Sequence, residues 1–208
     1  MRYLTEKRLK KRRYPMSTTK DKLIQVLVSH IKAGVNLKDL SLSQIATEAE
    51  IGKSTVYEHF ASKEAMISDT YAYLLKSYEA ILLEPISQTT FKAAFIEQLS
   101  RILTVMKDAK VIMDAIMNNT FDQIPNLKPE HQCLIETIQL SMGKRFEQII
   151  KMAIDTNEID IKKIKPYSKH VIQALISGIL LQYVKNEIDM SEQAVCDMIY
   201  EQILKSIN

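Results

Sequence analysis

The stretch from Leu42 to Met66, LSQIATEAEIGKSTVYEHFASKEAM, decides the architecture. Ser41 precedes it and Gln44 lies three residues on, the spacing at which two side chains satisfy each other's backbone N–H groups at a helix start. Leu42, Ile45, Ala46 and Ala49 recur at helical steps and predict a helix of about two turns, buried on that side. Glu50, Ile51 and Gly52 form a turn. A second short helix is expected from about Lys53 to His59, with Val56 and Phe60 facing inward and Lys53, Ser54, Thr55, Tyr57, Glu58 and His59 facing outward. Ser62 is placed to cap a long helix that ends before Pro85.

A brace precedes these two helices. Ser17 or Thr18 can cap it, Asp21 suits its positive end, Leu23, Ile24, Leu27, Val28 and Ile31 form one apolar stripe, and Gly34 ends it. Three short helices of this kind place one of them in a major groove, and that helix needs an apolar side to dock and a polar side to meet DNA. Lys53 can reach guanine N7 or O6, while Ser54 and Thr55 serve bases or phosphates. Tyr57 and His59 suit phosphates, and Lys63 lies at a helix N-terminus, where an anion is favoured. Glu58 either accepts from cytosine N4 or turns aside from the phosphates. The bare pattern is also that of a packing unit with a solvated polar face.

The particular residues go further. An Ile45-Ala46 pair, a turn, then Thr55, Tyr57, His59 and Phe60 followed by Ser62, Lys63 and Glu64 closely resemble the DNA-binding signature of the tetracycline-repressor (TetR) family of regulators. The resemblance covers about 50 residues and implies phosphate contacts from Thr55, Tyr57, His59 and Lys63, with base or backbone contacts from Ser43, Gln44, Lys53 and Ser54. Two positions depart from the pattern. Glu50 stands where the family commonly has Gly, so a positive φ with a steric cost is expected there. Gly52 stands where a capping Ser is usual, and is a weaker cap.

Downstream, helices are expected at about 89–108, 110–121, 129–156, 166–187 and 190–207, punctuated by Pro125, Pro129 and Pro166, the last two at first-turn positions. The helix near 166–187 carries Val171, Ile172, Ala174, Leu175, Ile176, Ile179, Leu180, Leu181, Tyr183 and Val184 around nearly its whole circumference, so it needs burial on all sides. With the last helix it is expected to form a two-fold interface through Leu175, Ile179, Tyr183, Val195, Ile199 and Ile203. The other reading is a fully buried core helix in a monomer. The resemblance implies an effector cavity as well, for which Tyr78, Phe95, Leu99, Met106, Met113, Ile116, Met117, Phe121, Met142, Phe146 and Ile150 are the candidates. Methionines suit an adaptable apolar site, although each of these residues also reads as ordinary core.

Composition agrees with an all-α chain: 208 residues with four Gly, five Pro and no sustained apolar alternation. The fold class expected is an N-terminal three-helix helix-turn-helix domain at 17–62 and a helical ligand-binding and dimerisation domain at 63–208, about nine helices in all. Residues 1–16 are a basic arm or a tail with Met16 as the start. Seven Lys and Arg against Glu6 give them +6, which leaves −3 on the rest of a chain of net +3. Clustered cations release counterions from a polyanion. Cys133 and Cys196 lie apart and away from any His at ligand spacing, so no metal or cofactor is expected. Without a signal peptide or membrane span, a cytoplasmic protein is expected.

The function expected is a ligand-responsive repressor that binds a palindromic operator as a homodimer and is released by a small, largely apolar effector. The alternatives are an architectural or division-linked DNA-binding factor and a helical enzyme. For an enzyme, the sequence shows no glycine-rich phosphate loop, nucleophile elbow or metal-ligand cluster.

Overall fold

Thr18 opens the first helix of the computed structural model with a reciprocal box: its Oγ1 accepts from the Asp21 N–H at 3.2 Å, and the Asp21 carboxylate accepts from the Thr18 N–H at 3.3 Å. The structure describes residues 18–110 and 129–207, all of whose regular elements are helical. The helices are α1 (Thr19–Lys32), α2 (Leu42–Glu48), α3 (Lys53–His59), α4 (Lys63–Leu82), α5 (Phe91–Asp108), α6 (Pro129–Asp155), α7 (Ser168–Val184) and α8 (Glu192–Ile207), with a 3-10 turn at Ile161–Lys163. The basic arm, Ser17, Pro125 and the helix expected at 110–121 apart from its first residue lie outside the described residues.

Local chemistry sets the boundaries. Ser41 and Gln44 form the second box, with the Gln44 Oε1 accepting from the Ser41 N–H at 2.8 Å. Ser62 caps α4 through the Ala65 N–H at 3.1 Å, and Ser191 caps α8 through the Ala194 N–H at 3.2 Å. Four helices end on a left-handed residue: Gly34 (φ 76°), Glu50 (57°), Asn157 (57°) and Asn186 (62°). Each supplies the back-folded N–H bonds that satisfy the last carbonyls, as Ile51 does to Ala46 at 2.9 Å. Gly and Asn enter this region readily, whereas Glu pays a steric penalty. Pro129 begins α6 as expected, but Pro166 does not enter α7. It sits in a turn closed by the Ser168 N–H on the Lys165 carbonyl at 2.9 Å, where its fixed φ suits the second turn position.

The chain divides into two compact units, the first running through Leu74 and the second from Leu75, so the division falls within α4 rather than before it. In the first unit α1, α2 and α3 pack against one another. Leu23, Leu27, Ile45, Val56, Phe60, Met66 and Ile67 form its buried side. The first half of α4 belongs here because its Met66 and Ile67 are core residues.

In the second unit α5 is the central helix, packing on α6, α7 and α8. Phe91, Ala94, Phe95, Leu99 and Leu103 are fully buried along it. Phe91, Phe95, Phe146 and Tyr200 form a tilted aromatic cluster with ring centroids 5.4–6.0 Å apart. The chain leaving α4 is held by side chains: Gln98 donates to the Leu82 carbonyl at 3.0 Å, and Arg145 to those of Leu83 at 2.9 Å and Glu84 at 2.6 Å. Arg101 also donates to the Glu84 carbonyl, to the Pro85 carbonyl at 2.9 Å and to the Glu97 carboxylate. The Leu82 carbonyl is one a helix end leaves without a partner, and those of Leu83, Glu84 and Pro85 belong to the loop that follows.

Two outcomes follow from this packing. Burial pushes the Cys196 thiol up to about 11, while Cys133 is exposed. A thiol reagent at pH 8 is therefore expected to modify Cys133 quickly and Cys196 only on unfolding; two fast equivalents would contradict the packing of α8. Glu50→Gly, freed of the left-handed penalty but with a more mobile unfolded chain, is expected to gain about 0.5–1 kcal/mol, read as a Tm a few degrees higher. An unchanged or lowered Tm counts against strain at this turn.

Candidate functional site

Burial of Val56 at 1 % and Phe60 at 4 % exposure fixes how α3 is turned. Lys53, Ser54, Tyr57, Glu58 and His59 then lie exposed and Thr55 half-buried, so the outward residues predicted from the sequence share one polar face. Tyr57 is 55 % exposed, which is unusual for so large a ring and leaves its hydroxyl free to donate. Gly52 caps α3 without a side-chain bond, and a Cβ there would meet only the Ser54 and Thr55 hydroxyls at 3.7 Å. Sterics do not demand glycine at that position.

Ser43 and Gln44 are exposed on α2, where with Thr47 and Glu48 they line an open hollow. Thr47 and Glu48 were not singled out from the sequence, although they lie one helical turn from Ser43 and Gln44 and share their face. The Thr47 hydroxyl is turned back onto the Ser43 carbonyl at 2.8 Å, and Glu48 pairs with His30 at 2.7 Å. The Gln44 carbonyl oxygen accepts from the Ser41 N–H at 2.8 Å, which orients the side chain and leaves its two amide N–H groups to donate. So held, those N–H groups suit a phosphate oxygen or a guanine acceptor.

The start of α4 differs from expectation. The Lys63 ammonium donates to the Lys38 carbonyl at 2.6 Å, leaving two of its three N–H donors. The anion-favouring N-terminus is already answered internally: the backbone N–H of Glu64 and the Ser62 hydroxyl hold the Glu64 carboxyl below its usual range.

The residues expected at a dimer interface divide into two groups. Leu175 and Ile179 border an open apolar strip on α7 with Val171, Ala174, Gly178 and Gln182. A Cβ at Gly178 would meet nothing within 4 Å. Tyr183 is half-buried, its ring lying under the Lys107 ammonium at 5.0 Å. Val195, Ile199 and Ile203 are at most 1 % exposed, inside the core of their own unit, and cannot touch a second copy in this packing. Their stripe on α8 is apolar because it packs on α5 and α7.

Of the residues expected around a ligand, Tyr78, Phe95, Leu99 and Met106 are buried, and Phe146 and Ile150 pack against the second unit's core. Met142 is half-buried, with its sulfur 3.5 Å from the Gln98 amide nitrogen. The Tyr78 hydroxyl donates to Asp108 at 3.2 Å, and burial with that neighbouring carboxylate drives its pKa up. Met113, Ile116, Met117 and Phe121 lie outside the described residues. Among the buried polar residues that the sequence reading did not single out is Gln98, fully buried on α5. No group of three or more metal-ligating side chains occurs among the described residues, and no helix among them is long and apolar enough to cross a membrane.

Residues 35–70 match the family model "Bacterial regulatory proteins, tetR family". A comparison with curated proteins gives no match. Among solved structures, the transcriptional regulator FadR from Bacillus subtilis, in complex with stearoyl-CoA, is similar at 17 % identity and a TM-score of 0.58, over 90 % of this chain and 98 % of that one. The TetR family regulator PfmR from Thermus thermophilus is similar at 14 % identity and a TM-score of 0.62, over 93 % and 99 %. A tetR family regulatory protein from Rhodococcus RHA1 gives 15 % and 0.62, over 93 % and 98 %. These likenesses show the fold along most of the chain. Residues 35–70 are similar to the helix-turn-helix segment of the tetR family of bacterial regulatory proteins, and they make up α2, α3 and the start of α4 in the first unit.

Proposed function

We propose that two copies of this chain repress transcription together by holding a near-palindromic operator, and that a small, largely apolar effector releases them. The observation that carries this reading is the turned α3, with Val56 and Phe60 buried and hydroxyls, an ammonium and an imidazole presented outward. One seven-residue helix offers too few contacts to hold a duplex tightly by itself. Two such helices about 34 Å apart address successive major-groove turns, which is why a dimer and a palindrome belong together.

The apolar strip of α7 supports the pairing. Val171 is 38 % exposed, and the small Ala174 and Gly178 leave room for a second helix to approach closely. The same strip on a two-fold related copy would cover it, since an isologous contact uses one patch twice. The apolar character of the effector is supported by the second unit's core and by its likeness in fold to a regulator that holds stearoyl-CoA. Release needs only that the effector favour one conformer over another. Such a bias can enter at Tyr78 and Leu82 of α4, a helix whose other end contributes Met66 and Ile67 to the DNA-reading unit.

Selection of duplexes from a random pool is expected to yield a palindrome. Tyr57→Ala should weaken binding to every duplex by a similar factor, whereas Lys53→Ala should change which duplex is preferred, reducing discrimination at the base it reads by about 1–3 kcal/mol. Equal weakening by both variants across all sequences would contradict this division. In sedimentation, Leu175→Asp with Ile179→Asp is expected to give a monomer with native helicity and weakened operator binding. An intact dimer would place the interface elsewhere.

A further inference from the structure

Gln98 carries a buried polar atom without a partner. Its side chain is fully buried on α5, and among the described residues its Oε1 is the buried side-chain oxygen that finds no hydrogen bond. The amide cannot simply be reversed. Its nitrogen donates to the Leu82 carbonyl at 3.0 Å and lies 3.5 Å from the Met142 sulfur, both acceptors, so exchanging nitrogen and oxygen would set acceptor against acceptor. Arg145 holds the next two carbonyls, of Leu83 and Glu84, which fixes the chain segment that the Gln98 amide grips. The carbonyl oxygen is therefore oriented by the packing and left without a donor.

A buried acceptor without a donor is costly, and native structures tolerate few of them. Its neighbours along the buried side of α5, Phe95 and Leu99, are apolar and fully buried. In such a setting a single polar group decides which ligand is accepted, because a matching donor regains the unmade bond and an analogue lacking it does not.

We infer that Gln98 is the polar anchor of the effector site, and that the effector class is an apolar molecule bearing a hydrogen-bond donor, such as a hydroxyl or an amide N–H, which bonds to the Gln98 Oε1. The inference rests on the reading of the second unit as an effector-binding unit. It adds the chemistry of the head group, and it places that group beside the carbonyls at the end of α4, where a ligand bond to Gln98 would alter its grip on Leu82.

A pair of isomers tests it: 1-decanol, with a donor, and methyl nonyl ether, without one. Titrated calorimetrically against the full-length wild-type protein, the alcohol is expected to bind about ten- to a hundredfold more tightly than the ether. Gln98→Met, which keeps the volume and removes the amide, both its carbonyl and the N–H that holds Leu82, is expected to bind both equally. Equal binding of the two isomers by wild type overturns the role of Gln98 and leaves the effector reading standing, as would be found if the oxygen held only a buried water. Binding of neither isomer overturns both. The wild-type comparison decides the matter even if Gln98→Met does not fold.

Discussion

The outward polar face of α3 depends on the docking of the opposite side of this seven-residue helix. A helix that short has no independent stability in water, since nucleation is unfavourable and two turns recover few backbone bonds. It persists because Val56 and Phe60 are buried in the first unit. Full burial of side chains of this size is worth about 1.5–3 kcal/mol each. The same docking that makes α3 exist also decides which way it faces. With those two side chains inward, Lys53, Ser54, Tyr57 and His59 have only the outside to occupy.

The turn before it is held under some strain. Glu50 adopts φ 57° so that α2 can end in back-folded bonds and hand the chain directly to α3. A wider connection would avoid the left-handed residue but would loosen the angle between the two helices. The Ser41–Gln44 box at the other end of α2 fixes where the Gln44 amide lies, because its oxygen is tied to the Ser41 N–H.

The second unit is organised around α5, which has apolar contacts on three sides and one polar residue, Gln98, among its fully buried ones. Gln98, Arg101 and Arg145 together answer the carbonyls where α4 gives way to the following loop. Most of this network is satisfied; the Gln98 Oε1 is not. On α7 the apolar residues exceed what the unit itself can cover. Ile176 and Leu180 are buried, while Val171, Leu175 and Ile179 remain at a surface. A helix with an apolar stripe of that breadth exposes surface that water disfavours.

The described helices, most of their caps and the outward polar face of α3 are legible in the sequence, because those features are local. Ser41 and Gln44 lie three residues apart, Val56 and Phe60 four, and the outward residues of α3 are whatever the stripe leaves over. Also legible there is the breadth of the apolar surface of α7, which runs around nearly its whole circumference. The three-dimensional packing settles which buried stripe meets which neighbour: Val195, Ile199 and Ile203 have the same periodicity whether they face α5 or a second copy, and the packing of the unit turns them inward. It alone revealed that the Lys63 ammonium rests on the Lys38 carbonyl and that Gln98 is an unmatched acceptor in the core. Partners 25 and 16 residues apart in the chain, as in Lys63 with Lys38 and Gln98 with Leu82, are brought together by packing, and periodicity within one helix carries no record of them.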